Sequence, residues 1–491
     1  MKLCNIGHNY DYETEKTVRL FLPFEKIEIV HSICEDKRLA VCEQRTDKGG
    51  VCTAFAYVSF DGKKCESEVP VTSTDKRAKE TALATALFNC FVKLTDYKPA
   101  WGILTGIRPA KLYSRFVTDI GKIKTEEYFS NVFKVDNDKI SLCRQAVEGE
   151  NKITSLSKHN SFSLYLSVPF CPSRCSYCSF VSHSVDKAKE LIPKYVEFLC
   201  KELEITAKIA KDFGLKLETV YMGGGTPTTL DSIQLDTVLS TVNRCFDISS
   251  VREFTVEAGR PDTITEDKLK AIKSNGVTRI SINPQTLNDE VLEIIGRKHT
   301  AKQTFDAFLL ARKCGFDNIN MDTIAGLPSD TLESFSNTIE KLISLDPESI
   351  TVHSLSMKRA STLTKNGELP QISAGKTASD MVNFARKRLT ESGILPYYMY
   401  RQSKTVGNLE NVGYAKKGFE GLYNVYIMDE THTILACGAS AVTKLREPDG
   451  DNIERIFNFK YPYEYIGRFD EQLLRKDGIV KFYDKCFKRD K

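Results

Sequence analysis

An α/β fold organised on a parallel sheet is the architecture these 491 residues predict, and three observations predict it. From about Phe162 onward, short β-rich segments alternate with helical ones six times. The helical stretches carry apolar residues at i, i+3, i+4 and i+7, the spacing of one buried face. The chemically unusual residues fall at or just past the ends of the β-rich segments. Alternation of this kind implies right-handed crossovers and parallel pairing. Six units make either an open sheet or an incomplete (β/α) barrel, and in both function gathers at the carboxyl ends of the strands.

Residues 1–155 read as a separate small α+β domain. Segments 17–22 and 51–58 alternate as strands do, a strong helix follows over 76–94, and a Trp101-Gly-Ile-Leu-Thr-Gly-Ile-Arg-Pro stretch comes next. The polar run 148–160 breaks the periodicity and sets the boundary. In the core, 160–395, strands are expected over 163–168, 217–222, 253–256, 279–282, 318–324 and 349–355. One helix between them carries Leu235, Val238, Leu239, Val242 and Phe246; another carries Leu332, Phe335, Ile339, Leu342 and Ile343. After about Leu395 the pattern changes to a strand-rich C-terminal region, 396–491. Its basic end, 481–491, reads as a solvated tail.

Composition excludes several classes. Hydrophobic content of 41% and charged content of 27% are those of a globular chain. Sixty-nine basic against 65 acidic residues leave a net charge of +4, too balanced for a nucleic-acid partner. No apolar run reaches the ~18 residues of a membrane span. The N-terminus lacks the apolar core of a signal peptide, so a cytoplasmic location is expected.

Three cysteines carry the chemistry. Cys171, Cys175 and Cys178 form a Cys-x3-Cys-x2-Cys run directly after the first core strand. Cysteine thiolates are the standard ligands of a [4Fe–4S] cluster, and three of them leave one iron open. Structural zinc would need four ligands; His183 is the candidate for the fourth, but the paired spacing of zinc sites is absent. The remaining cysteines are scattered within an odd total of 15, the pattern of small buried residues in a reducing compartment.

Further residues cluster at the same strand ends. Gly223-Gly-Gly-Thr-Pro227 follows the second strand, as a tight turn or as a cradle whose exposed amides donate to a cofactor. Glu257 ends the third strand, Gln285 follows the fourth and Asp322 lies in the fifth. Either carboxylate could accept from an ammonium or a ribose hydroxyl, or cap the next helix. Arg297 could pair with an amino-acid carboxylate or lie on the surface.

The Cys-x3-Cys-x2-Cys run with Tyr177, followed by Gly-Gly-Gly-Thr-Pro-Thr, resembles the radical S-adenosylmethionine (SAM) superfamily. Tyr165-Leu-Ser-Val-Pro-Phe-Cys171, Pro284-Gln285, Gly296-Arg-Lys-His299 and Asp322-Thr-Ile-Ala-Gly-Leu-Pro328 resemble its oxygen-independent coproporphyrinogen III oxidase branch. Thr105-Gly-Ile-Arg-Pro-Ala-Lys-Leu112 and Gly407-Asn-Leu-Glu-Asn-Val-Gly-Tyr414 are similar to the coproporphyrinogen dehydrogenase HemZ subgroup. The resemblance implies a partial (β/α)6 TIM-like barrel. It implies that Cys171, Cys175 and Cys178 hold three irons and that SAM chelates the fourth. Thr226, Glu257 and Arg297 then match contacts to the methionine part. Tyr177, Gly224 and Gly225 match residues near adenine and sulfonium, and Gln285 and Asp322 match ribose contacts. Tyr165 matches a cofactor-contacting tyrosine in the reaction site. The implied reaction takes a hydrogen from a coproporphyrinogen III propionate, releases carbon dioxide and leaves a vinyl group, with a low-potential electron donor as partner.

Two positions depart from the branch. Ser167 stands where the well-studied oxidases carry His, and Phe180 where they carry a further Cys. The Phe form is shared with relatives that bind or deliver haem, so a haem-binding protein and an enzyme acting on another tetrapyrrole are the alternatives. A tetracarboxylate substrate needs cations, for which Arg108, Lys111, Arg401 and Lys404 are candidates.

Overall fold

The computed structural model describes residues 1–180, 182–358, 361, 363, 372–448 and 450–488. The chain opens with a five-stranded sheet: β1 (Lys2–Ile6), β2 (Glu28–Val30), β3 (Leu39–Thr46), β4 (Cys52–Phe60) and β5 (Lys63–Pro70), in the order β2-β1-β3-β4-β5. Strict alternation in β4 buries Ala54, Ala56, Val58 and Phe60 on one face. The helix Lys76–Thr95 lies over that face. It starts where Asp75 accepts from the Ala78 amide at 2.9 Å, a standard N-cap.

Three more helices follow, Pro109–Ile120, Lys122–Asn131 and Asn137–Thr154. The last one packs against a strand of the C-terminal region, β14 (Leu395–Arg401). Gly149 allows the close approach: a Cβ there would lie 2.7 Å from Tyr397 Cα. A buried ion pair, Lys139 to Glu410 at 2.6 Å, ties the same helix to the neighbouring strand. Trp101 Nε1 donates to the other oxygen of Glu410, also at 2.6 Å.

Six parallel strands make the centre of the molecule: β6 (Ser161–Val168), β9 (Lys216–Gly224), β10 (Glu253–Gly259), β11 (Arg279–Gln285), β12 (Ile319–Ala325) and β13 (Ser349–Ser354). They lie side by side in chain order. Between β6 and β9 sits a small parallel pair, β7 (Phe170–Cys171) with β8 (His183–Ser184). Both patterned helices form, as Ser232–Cys245 and Leu332–Ser344. A capping box of Asp231 and Gln234 starts the first. The expected apolar face of the second is corrected at one end, because Leu332 is exposed while Phe335, Ile339 and Leu342 are fully buried.

The residues after 395 extend this same sheet at both edges. β14 and β15 (Glu410–Ala415) add antiparallel strands beyond β13. The chain then crosses to the far side, where β16 (Thr433–Cys437) pairs parallel with β6, followed by antiparallel β17 (Val442–Arg446) and β18 (Ile453–Phe457). The segment expected as a solvated tail is instead largely the helix Asp477–Lys488. Ile479, Phe482 and Tyr483 are buried, because the apolar residues of 477–488 share one face; residues 489–491 lie outside the described residues. Among the described residues no helix is long and apolar enough to cross a membrane.

The two faces of the central sheet differ chemically. Val220, Met222, Phe254, Val256, Ile280, Ile282, Met321, Ile350 and Val352 are buried on the face the helices cover. The alternate positions carry Tyr221, Thr255, Glu257, Ser281, Asn283, Gln285, Asn320, Asp322, Thr351 and His353. A period of two separates the two sets. Register aligns the polar ones across strands: Glu257 with Ser281, Ser281 with Asn320, and Asp322 with Thr351.

Candidate functional site

The polar face encloses one cavity of about 520 Å³. It is lined from the ends of β9, β10, β11, β12, β13 and β14 and from the cysteine loop, so the strand ends converge as a curled sheet requires. All three motif cysteines line it, together with Tyr177, Gly224, Gly225, Thr226, Glu257, Gln285, Arg297 and Asp322. Tyr165 is the exception. Its ring stacks on Tyr221 (6.3 Å) and Tyr423 (6.1 Å), and Tyr221 takes its place at the cavity wall.

The cysteine loop is held at several points. The His183 amide donates to the Pro169 carbonyl at 2.9 Å, closing its base. The Ser176 amide donates to the Ile295 carbonyl at 2.9 Å. Arg260 donates to Ser173 Oγ at 2.6 Å and is itself gripped by Asp262 at 2.7 Å. The His183 ring packs edge-on against Tyr461 and Tyr463. Among the described residues no three His, Cys, Asp or Glu side chains converge as a single metal ion needs. A cubic cluster instead takes one thiolate at each of three corners. Burial pushes the Cys178 thiol up to about 11; bound iron acts in the opposite sense, deprotonating a coordinating thiol.

The glycine loop lies tightly against the cysteines. A Cβ at Gly225 would sit 2.4 Å from the Phe170 carbonyl oxygen and 3.0 Å from Cys171 Sγ, and Gly224 has φ +109°. Only glycine fits here. The amides expected to be exposed are not: Gly225 donates to the Val168 carbonyl and Thr226 to that of Phe170, each at 2.7 Å. The ligand-facing surface of this loop is therefore its glycine backbone and the Thr226 side chain, whose hydroxyl donates to Cys171 Sγ at 3.6 Å.

Two acids stand on the inner face. Glu257 accepts from the Tyr221 hydroxyl at 2.5 Å. Burial pushes its carboxyl up to about 7, with Asp322 adding to the rise, so a cationic ligand group beside it would restore ionisation. Asp322 accepts from Asn320 at 2.7 Å and has His353 Nε2 at 3.7 Å. Burial raises its pKa, but His353, Asn320 and Thr351 outweigh burial and hold it below the usual carboxylate range. Arg297 is buried beside Tyr177 and Cys175 and donates to the Asn283 carbonyl.

The site fits a polar ligand next to the cysteines. Gln285 Oε1, Arg297 Nε and Asn411 Nδ2 are buried, belong to cavity-lining residues and have no protein partner. Gln285 also holds the strained φ of +69°, the kind of backbone cost found where function demands it.

Sequence reasoning missed Tyr221, Arg260, Asn283, Asn320, His353, Tyr398, Tyr400 and Gln402. The period-two polar residues in otherwise apolar strands were the signal that could have found them. Three of the four candidate cations are committed elsewhere. Arg108 pairs with Glu430 at 2.6 Å, Lys111 donates to the Asp429 carbonyl, and Arg401 donates to the Leu104 carbonyl at 2.8 Å. None of these three lines the cavity.

Residues 165–342 match the radical SAM superfamily. The chain is 36% identical over 418 residues to the oxygen-independent coproporphyrinogen-III oxidase-like protein HemZ of Bacillus subtilis (strain 168), covering 84% of this chain and 83% of that one. It is 34% identical over 282 residues to the heme chaperone HemW of the same organism, covering 56% of this chain and 70% of HemW. Its fold is that of the coproporphyrinogen III oxidase HemN from Escherichia coli, with a TM-score of 0.52 at 22% identity over 66% of this chain and 72% of that chain. The chain belongs to the radical SAM superfamily, in the branch that holds HemN, HemZ and HemW, and its cofactors are a [4Fe–4S] cluster and SAM.

Proposed function

We propose that the protein is an oxygen-independent coproporphyrinogen III oxidase, converting two propionates to vinyl groups. One observation carries the reading: the cavity holding the three cysteines continues past the expected SAM contacts to Tyr398, Tyr400, Gln402 and Lys358. That puts aromatic, hydrogen-bonding and cationic side chains in the same cavity as the cysteines, where a second ligand could contact them. A relative of matching length, HemZ, is named as oxidase-like.

When bound, the two cofactors supply a carbon radical able to take a hydrogen atom from an unactivated C–H bond. The chain's residues position them. Cys171, Cys175 and Cys178 hold three irons. Glu257 receives the ammonium of SAM and Arg297, beside Tyr177, its carboxylate. Gln285 and Asp322 receive the ribose hydroxyls, with Asn320 and His353 fixing the Asp322 carboxylate. Gly224 and Gly225 let the ligand approach the backbone.

Anaerobic incubation of cluster-loaded protein with SAM, a strong reductant and coproporphyrinogen III tests this by mass spectrometry. Two successive losses of carbon dioxide with 5′-deoxyadenosine support the oxidase. Cofactor cleavage with an unchanged porphyrin refutes it.

A second reading, haem binding or transfer, is favoured by Phe180, which stands 67% exposed at the cavity edge next to Cys178. The similarity to HemW points the same way. Ser167 is buried against Gly224 and Gly438, away from the cavity lining. Stoichiometric haem binding that Phe180→Ala removes, without porphyrin decarboxylation, would establish this reading over the first.

A further inference from the structure

Beyond β13 and β14 the chain forms an isolated antiparallel bridge, Ser356 with Thr405. The Met357 amide donates to the Lys404 carbonyl at 3.0 Å, and Ser356 Oγ to the Ser403 carbonyl at 3.1 Å. This clip brings the exposed Lys404, which is not itself part of the cavity lining, beside Lys358. Lys358 lines the cavity, and Lys404, at φ +63°, stands next to Lys358 closely enough for its charge to be felt there. Lys358 Nζ donates to the Ser403 carbonyl at 3.4 Å. Among the described residues neither ammonium has a carboxylate partner.

That is an unusual arrangement for a protein interior edge. Burial and the like charge of Lys404 both lower the pKa of Lys358, so the pair is electrostatically uncomfortable without an anion. The other cations first considered for the substrate are tied to Glu430, Asp429 and Leu104. The cavity-lining Arg260 is paired with Asp262, and Arg279 donates to Ser349 at 2.9 Å. The same cavity carries the uncharged side chains of Tyr398, Tyr400, Gln402 and Asn411. An anionic ligand entering there meets positive charge at the clip and hydrogen-bond donors along the wall.

We infer that Lys358 and Lys404 form a carboxylate clamp that seats a non-reacting propionate of a tetracarboxylate tetrapyrrole. The inference rests on the coproporphyrinogen reading and names the residues that would select for the acid side chains. The clamp sets orientation: with one propionate held by the lysines, the macrocycle enters in a fixed register toward the cysteine end.

The test uses cluster-loaded full-length protein and coproporphyrin III as binding probe, followed by fluorescence, with its tetramethyl ester as the uncharged comparison. Lys358→Gln should weaken coproporphyrin III binding about tenfold, the value of one charge-assisted hydrogen bond. Lys404→Gln, being more exposed, should weaken it about threefold. Neither change should alter ester binding, and Lys358→Arg should restore most of the loss. Turnover should show a raised KM for coproporphyrinogen III with kcat held. Iron content and melting temperature verify that each variant is folded. Wild-type preference for the tetra-acid with no loss in either Gln variant overturns the clamp and leaves the oxidase reading intact. Wild-type protein that neither binds nor converts the tetrapyrrole overturns the oxidase reading, and the clamp with it.

Discussion

Gly225→Ala is the sharpest probe of how the glycine loop supports the cluster. The added Cβ would lie 2.4 Å from the Phe170 carbonyl oxygen, 2.9 Å from that of Val168 and 3.0 Å from Cys171 Sγ. Two of these are rigid backbone atoms, so a rotamer change cannot relieve the clash. The loop must move, and it is stitched to β6 and β7 by the two 2.7 Å bonds from Gly225 and Thr226. Overpacking costs about 1–3 kcal/mol, and breaking one buried backbone bond costs a further ~1–3 kcal/mol. The variant should therefore lose roughly 2–6 kcal/mol of stability. Because Phe170 and Cys171 form β7, relief of the clash displaces the first cluster ligand. The loaded variant should surrender iron to a chelator about tenfold faster than wild type, the penalty of disturbing a ligand's support. Thermal melting of the apo protein and iron release from the loaded one read the two effects. Gly106→Ala is the control, since nothing lies within 4 Å of its Cβ. A Gly225→Ala protein with unchanged melting and unchanged iron retention would refute the argument.

Other perturbations separate other parts of the reasoning. Cys175→Ala should abolish both the brown colour and SAM cleavage, and retained cleavage would contradict the ligand set. Lys139→Met leaves Glu410 buried without its cation and should cost about 3–5 kcal/mol by chemical denaturation; a change under 1 kcal/mol would show the pair to be dispensable. Burial pushes Glu150 up to about 8, above its unfolded value, so the native state holds the proton more tightly. Its contribution is full below pH ~4.5 and declines as pH rises towards 8, by at most about 3 kcal/mol between pH 4.5 and 7. Glu150→Gln should flatten the melting temperature over that window, and an unaltered pH profile would count against it. Tyr221→Phe, which removes the hydrogen bond to Glu257, should raise the KM for SAM more than Tyr165→Phe. Equal effects would return Tyr165 to the cofactor wall.

What the sequence disclosed follows from where its information is local. The six core strands were legible because apolar, β-branched runs between amphipathic helices are written in neighbouring residues, and the expected bounds differ from the observed ones mainly at the carboxyl ends. Those ends were cut short for a physical reason. Asn283, Pro284 and Gln285 look like a turn, yet they continue β11 because the polar side chains face a cavity and not water. The same local view made Glu257 and Asp322 look like separate carboxylates, each open to a capping role, and left Gln285 outside its strand. In the fold they belong to one polar face: Glu257 is in register with Ser281, and Asn320, which donates to Ser281 at 2.9 Å, also holds Asp322. The C-terminal region was opaque for the opposite reason. That β16 lies parallel to β6, with Thr433 opposite Phe162, depends on pairing between distant segments and leaves no local trace. The clip at Ser356 and Thr405 is of this kind too, which is why Lys404 could be suspected from the sequence but its neighbour Lys358 could not. A polar residue at every second position of an apolar strand marks a lumen, and the proposed clamp rests on Lys358 in its lining with Lys404 beside it, neither having a carboxylate partner among the described residues.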